Sequence, residues 1–134
     1  MGYATDVVNY LDRKGAIEVL IAVASMDGVR YTDIEPNVSI SSTTLSRRLS
    51  EGVECSVLEL NQRPVEYGTE KLYRHTRLGR FLYRNMDEQN IVETQHRLRE
   101  LKERQEQQIA DFLEWADQQP DVLKTESDSD DWRR

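Results

Sequence analysis

Six side chains in one short stretch, Ser42, Thr43, Thr44, Ser46, Arg47 and Arg48, bring hydroxyls and guanidiniums together, with no carboxylate between Glu35 and Glu51. Ser and Thr hydroxyls bond phosphates or base edges at short range, and an arginine can hold guanine O6 and N7 with two parallel hydrogen bonds. Arg63 and Lys71 flank a second segment marked by Pro64 and Gly68, where cations would meet a phosphate backbone. Catalytic chemistry has less support. His75 and His96 are the only histidines and stand too far apart to suggest a metal site. Cys55 is the single cysteine, so no disulfide forms within the chain, and it reads as a small core residue. The carboxylates of the C-terminal third have no nucleophile or base placed with them by any motif, and no Gly-rich loop is present to cradle a phosphate. The expectation is a non-enzyme with no cofactor and no metal.

The positioning elements follow from periodicity. Residues 5–11 and 14–25 have helical spacing, the second with Ile17, Leu20, Ile21 and Ala24 on one side and Asp27-Gly28 as its stop. A short helix is expected at 32–35, broken by Pro36-Asn37. Ser39 or Ser41 can cap the next helix, because a serine hydroxyl accepts from a free first-turn N–H. Leu45, Leu49 and Val53 form its apolar stripe, and Ser50 falls off that stripe with the polar residues. Residues 57–62 and 69–75 read as the strands of a hairpin, with 63–68 as its loop. Thr76 caps a further helix that turns Leu78, Phe81, Leu82 and Met86 inward. From 88 to 118 there is no Pro or Gly. Ile91, Leu98, Gln105 and Phe112, with Thr94, Leu101, Gln108 and Trp115, make two seven-residue series. That pattern suits a helix pairing with a second copy. Pro120 is expected to end the helix and 120–134 to form a flexible acidic tail.

The formal charge is −7, and four lysines stand against fourteen arginines. Abundant Asp and Glu with little Lys resembles proteins of halophilic archaea. Residues 41–86 carry eight basic and five acidic side chains, the only net positive segment. Nothing in the sequence suggests a membrane span or a signal peptide, which predicts a cytoplasmic protein.

The run Ile40-Ser41-Ser42-Thr43-Thr44-Leu45-Ser46-Arg47-Arg48-Leu49 resembles the recognition helix of HxlR-type winged-helix regulators. Tyr73-Arg74-His75-Thr76-Arg77-Leu78-Gly79-Arg80 is similar to the family's run that closes the wing and opens the next helix. The likeness spans roughly residues 10–85, and the long last helix is similar to that of PadR-like regulators, which dimerise through it. A family glycine after the recognition helix is missing between Glu54 and Leu58, and the redox members' cysteine near the first helix is absent, so no thiol switch transfers to Cys55.

The resemblance implies an α+β, mostly α fold: a winged helix-turn-helix domain over 1–86 and a long C-terminal dimerisation helix over 87–119. It implies a transcriptional regulator, stress-responsive in some relatives, that binds double-stranded promoter DNA. Contact would come from Ser42, Thr43, Thr44, Ser46, Arg47, Arg48, Arg63 and Lys71. A homodimer joined at Ile91, Leu98, Leu101, Phe112 and Trp115 would read a pseudo-palindromic site. The alternative is a protein-interaction module on a winged-helix scaffold that no longer binds DNA.

Overall fold

The computed structural model describes residues 3–127. It is α+β and mostly helical, with one two-stranded antiparallel sheet and a long C-terminal helix. Residues up to Gln95 form one compact unit and those from His96 a second.

In the first unit, α1 (Tyr3–Leu11) buries Val7 and Tyr10. α2 (Ala16–Ala22) is shorter than its apolar run suggests, because Gly15 adopts φ 86 and starts the helix abruptly. A side chain at Gly15 would also strike Ile40. Ala16, Val19, Leu20 and Ile21 of α2 sit at the centre of the core. α3 (Tyr31–Ile34) continues into a 3-10 turn at Glu35–Asn37, so Pro36 sits inside a turn rather than ending one. α4 (Ser42–Glu54) packs Leu45, Leu49 and Gly52 inward. It ends where Ser56 takes φ 64, the left-handed position that a glycine occupies in many helix stops.

The hairpin joins β1 (Leu58–Val65) to β2 (Gly68–His75), in register from Leu58↔His75 to Val65↔Gly68. The strands are longer than expected and the loop shrinks to Glu66-Tyr67. Gly68 at φ 100 gives the left-handed residue that follows such a turn. Pro64, expected in the loop, lies in β1. It is tolerated there because β1 pairs on one side only. The far side of β2 is tied to Val29, whose backbone exchanges hydrogen bonds of 2.7 and 2.9 Å with Tyr73.

Thr76 caps α5 (Arg77–Glu88), its hydroxyl accepting from Gly79 N–H at 3.0 Å. Met86 is buried and Leu78 and Leu82 pack against the core, but Phe81 points outward at 64% exposure. The predicted continuous helix is interrupted at Gln89-Asn90, where Asn90 takes φ 65. α6 (Ile91–Asp117) then begins, and its Val92 belongs to the first unit's core. Pro120 opens α7 (Pro120–Ser127), since proline suits a helix's first turn. The rest of the expected tail, with Trp132, lies outside the described residues. No helix among those described is long and apolar enough to cross a membrane.

His75 is buried, and its Nε2 donates to the Leu20 carbonyl at 2.7 Å. Burial lowers its pKa from 6.5, and Arg80 adds to this. A histidine held neutral in the fold must charge on acidification. Its contribution is therefore intact above the unfolded value near 6.5 and is lost as the pH falls below it. Urea midpoints should fall between about pH 6.5 and 5 in the parent and fall less in His75→Gln. Parallel curves would contradict this.

Candidate nucleic-acid interface

α4 owes its start to Ser41, whose extended backbone lets its hydroxyl accept from Thr44 N–H at 3.2 Å. Ser39, the other candidate cap, is held by Glu18, to which its N–H and hydroxyl both donate, at 2.9 and 2.7 Å. Since Leu45 and Leu49 face the core, helical periodicity turns Thr43, Ser46, Arg47 and Ser50 to the outside, and all four are exposed. Among the described residues Arg47 has no ion pair and no side-chain hydrogen bond. It is the one unneutralised cation on α4. Ser50 completes this face and was missed as a site residue, although it lies seven positions after Thr43 and four after Ser46.

Other expected contact residues point elsewhere. Arg48 is 12% exposed. Its Nε donates to the Lys14 carbonyl and its other guanidinium arm to Glu51, both at 2.8 Å, so it fastens α4 to the loop before α2. Arg13 also reaches Glu51. Thr44 is half-buried and bonds Ser41. Ser42 spends its hydroxyl proton on Glu35 at 2.8 Å, while its carbonyl accepts from Tyr31 Oη.

On the hairpin, Arg63 lies opposite Glu70 and donates to it at 2.7 Å, and Arg30 approaches the same carboxylate at 3.8 Å. Lys71 is exposed and has no ion pair among the described residues. Arg74 pairs with Glu59 across the strands. Tyr67 stands at the turn, 89% exposed, another residue that sequence reasoning passed over.

The location of positive charge changes accordingly. α4 carries Arg47 and Arg48 against Glu51 and Glu54. The hairpin carries Arg63, Lys71 and Arg74 against Glu59, Glu66 and Glu70. Both are neutral, and the surplus in residues 41–86 sits on α5, at Arg77, Arg80 and Arg84. The exposed face of α4 therefore suits contacts that work at hydrogen-bond range, with Arg47 as their charged member and Glu35 beside the helix start as a counterweight.

That counterweight has a measurable consequence if an anionic polymer docks here. Glu35→Gln keeps a group that can accept from Ser42 but removes a negative charge at the rim, a change worth about 0.2–1 kcal/mol. DNA affinity at low salt should rise roughly 1.4-fold to fivefold, by fluorescence anisotropy, and the gain should vanish in molar KCl. Unchanged or weaker binding at low salt would place Glu35 away from the polymer.

Cys55, at the end of α4, is half-buried, and burial pushes its thiol up. A thiol held protonated is a poor nucleophile at neutral pH. Among the described residues no group of three or more His, Cys, Asp or Glu side chains could hold a metal ion.

In the second unit, Leu98, Leu101, Phe112 and Trp115 are each at least half exposed, and Phe112 stacks on Trp115 with ring centres 5.9 Å apart. Ile109 and Leu113 add to the exposed apolar residues of α6. Ile91 belongs to the first unit and is more covered. The sequence matches no model of a known protein family and no curated protein.

Proposed function

We propose that this chain is a sequence-specific DNA-binding regulator of transcription, built on a winged helix-turn-helix and acting as a homodimer at promoters. The observation that carries this reading is the uncovered face of α4: Thr43, Ser46, Arg47 and Ser50, with an unpaired arginine, on a helix preceded by α3 and followed by a hairpin. In that order α4 is the element for the major groove and the hairpin, with Lys71 and Tyr67, the element for the backbone beside it. The same chemistry needs no enzymatic group.

A single α4 offers few charged contacts, so affinity must come from doubling them. Two linked copies reading half-sites about 34 Å apart gain through effective concentration. The exposed apolar residues of α6 support a second copy as the partner there. The double variant Leu98→Glu/Leu101→Glu should sediment as a monomer and bind promoter DNA far more weakly. An unchanged mass would remove the pairing from this face.

Selection of genomic fragments in about 0.1 M and again in about 2 M KCl tests the function itself, because long-range attraction is screened at the higher salt while short contacts persist. Enrichment of promoter fragments with a two-fold repeat is the expected result. The neutrality of α4 and the hairpin favours one other reading, a protein-interaction module. Absence of any enrichment from a folded dimer would select it.

A further inference from the structure

α5 carries Arg77, Arg80 and Arg84 against Asp87 and Glu88 at its end, none of them needed by the reading above, and two of the arginines share a cleft. It measures about 210 Å³ and lies between the segment after α2, the end of β2 and the outer face of α5. Arg80 and Arg84, one helical turn apart, line one part of it. Neither has a carboxylate partner among the described residues. Arg80 directs one guanidinium N–H at the Met26 sulfur, 2.9 Å away. A thioether is among the weakest acceptors a protein has, so a strong donor in the cleft is nearly unused. The remaining lining is apolar or neutral. Ala24, Met26 and the Tyr83 ring form walls, and the His75 ring meets Tyr83 at a 37° tilt with ring centres 5.3 Å apart. Asp87 is close enough to Tyr83 to raise its phenol, an effect smaller than that of burial, but it does not line the cleft.

We infer that this cleft binds a small organic acid, its carboxylate held by Arg80 and Arg84 and its short apolar body against Tyr83, Met26 and Ala24. Guanidiniums bond a carboxylate with paired donors, and an apolar wall rewards a carbon body over a bare ion. The cleft is large enough for a compact acid. Occupation would be felt at α4. The segment after α2 runs through Gly28, at φ 92 against Leu72, to the Val29–Tyr73 bridge and into α3, whose Tyr31 holds the Ser42 carbonyl. The ligand's role as an effector of DNA binding rests on the function proposed above, whereas the site itself does not.

The chain has two histidines, so histidine-selective NMR gives two reporters, one inside the cleft and one far along the sequence. The full chain, without DNA, is titrated with butyrate, benzoate, inorganic phosphate and propylammonium. The organic acids should move the His75 signal saturably and leave His96 still. Arg84→Ala should weaken them at least tenfold, and Arg77→Ala, exposed and outside the cleft, should leave their affinity unchanged. An unmoved His75, a response to phosphate as tight as to the acids, a response to propylammonium, or full affinity in Arg84→Ala would each overturn the assignment. With no DNA in the tube, failure here leaves the promoter selection standing, and failure there leaves this result standing.

Discussion

Arg47→Ala should lower affinity for the selected promoter site by about 1–3 kcal/mol, roughly fivefold to 150-fold, and relax the preference at one base position per half-site. Arg47 is exposed and makes no hydrogen bond or ion pair among the described residues, so folding should be unaffected. It is flanked by Thr43, Ser46 and Ser50, which shape a face only short side chains share, and a guanidinium there can reach deeper than they do. Its loss therefore removes the longest and only charged contact of α4. Lys71→Ala is the paired measurement. A lysine on the hairpin would meet phosphate, so that variant should weaken all sequences alike and flatten the salt dependence by about one ion per chain. Anisotropy titrations on the site and on single-base variants separate the two. If Arg47→Ala kept both affinity and base preference, α4 would not be the reading element, whatever else binds DNA.

The second large effect is on stability. Gly79→Ala should cost about 3 kcal/mol or more, a large share of what holds a domain of this size together. Gly79 sits in the first turn of α5, buried, and a methyl there would lie 2.1 Å from the Val57 carbonyl oxygen. That oxygen is backbone and already accepts from Thr76 N–H at 3.2 Å, so it cannot swing aside cheaply. Gly68→Ala is the comparison. It meets nothing within 4 Å, and only its φ of 100 opposes a side chain, at about 1–2 kcal/mol. Urea unfolding of both at one salt concentration should rank them clearly. A Gly79 variant no less stable than the Gly68 variant would mean that the start of α5 does not depend on this close approach.

Gly79 also shows what could be read from sequence and what could not. The run Thr76-Arg77-Leu78-Gly79 was recognisable, and Thr76 was legible as a cap because capping is local. The reason for the glycine was not, since its constraint is a carbonyl twenty-two positions earlier. The same divide recurs. Ser41 as the α4 cap and the Leu45, Leu49 stripe follow from neighbours three and four apart. Arg48 looked like part of the contact set, yet its partner is the Lys14 carbonyl, thirty-four positions away. Arg63 looked like a free wing cation until the register put Glu70 opposite it. Pro64 reads as a loop marker in the sequence because one-sided pairing is a property of the sheet, not of the residue. Asn90 and Ser56 ended helices where no glycine advertised a stop. The net charge of residues 41–86 misled by averaging: the sum was right, but its seat was α5 and not the expected contact face.

β1 has a further meaning for how the protein behaves at high concentration. A strand paired on one side leaves backbone donors and acceptors open along the other, a template on which a foreign strand can grow. After Leu60 the strand runs Asn61, Gln62, Arg63 and Pro64 before its next apolar residue, so it offers side-chain amides, a charge and a tertiary-amide nitrogen with no hydrogen to give. A run of this composition disfavours cross-β growth along an open strand edge. A variant that exchanged Gln62 and Pro64 for valine would lose that composition and should form fibres more readily along this edge.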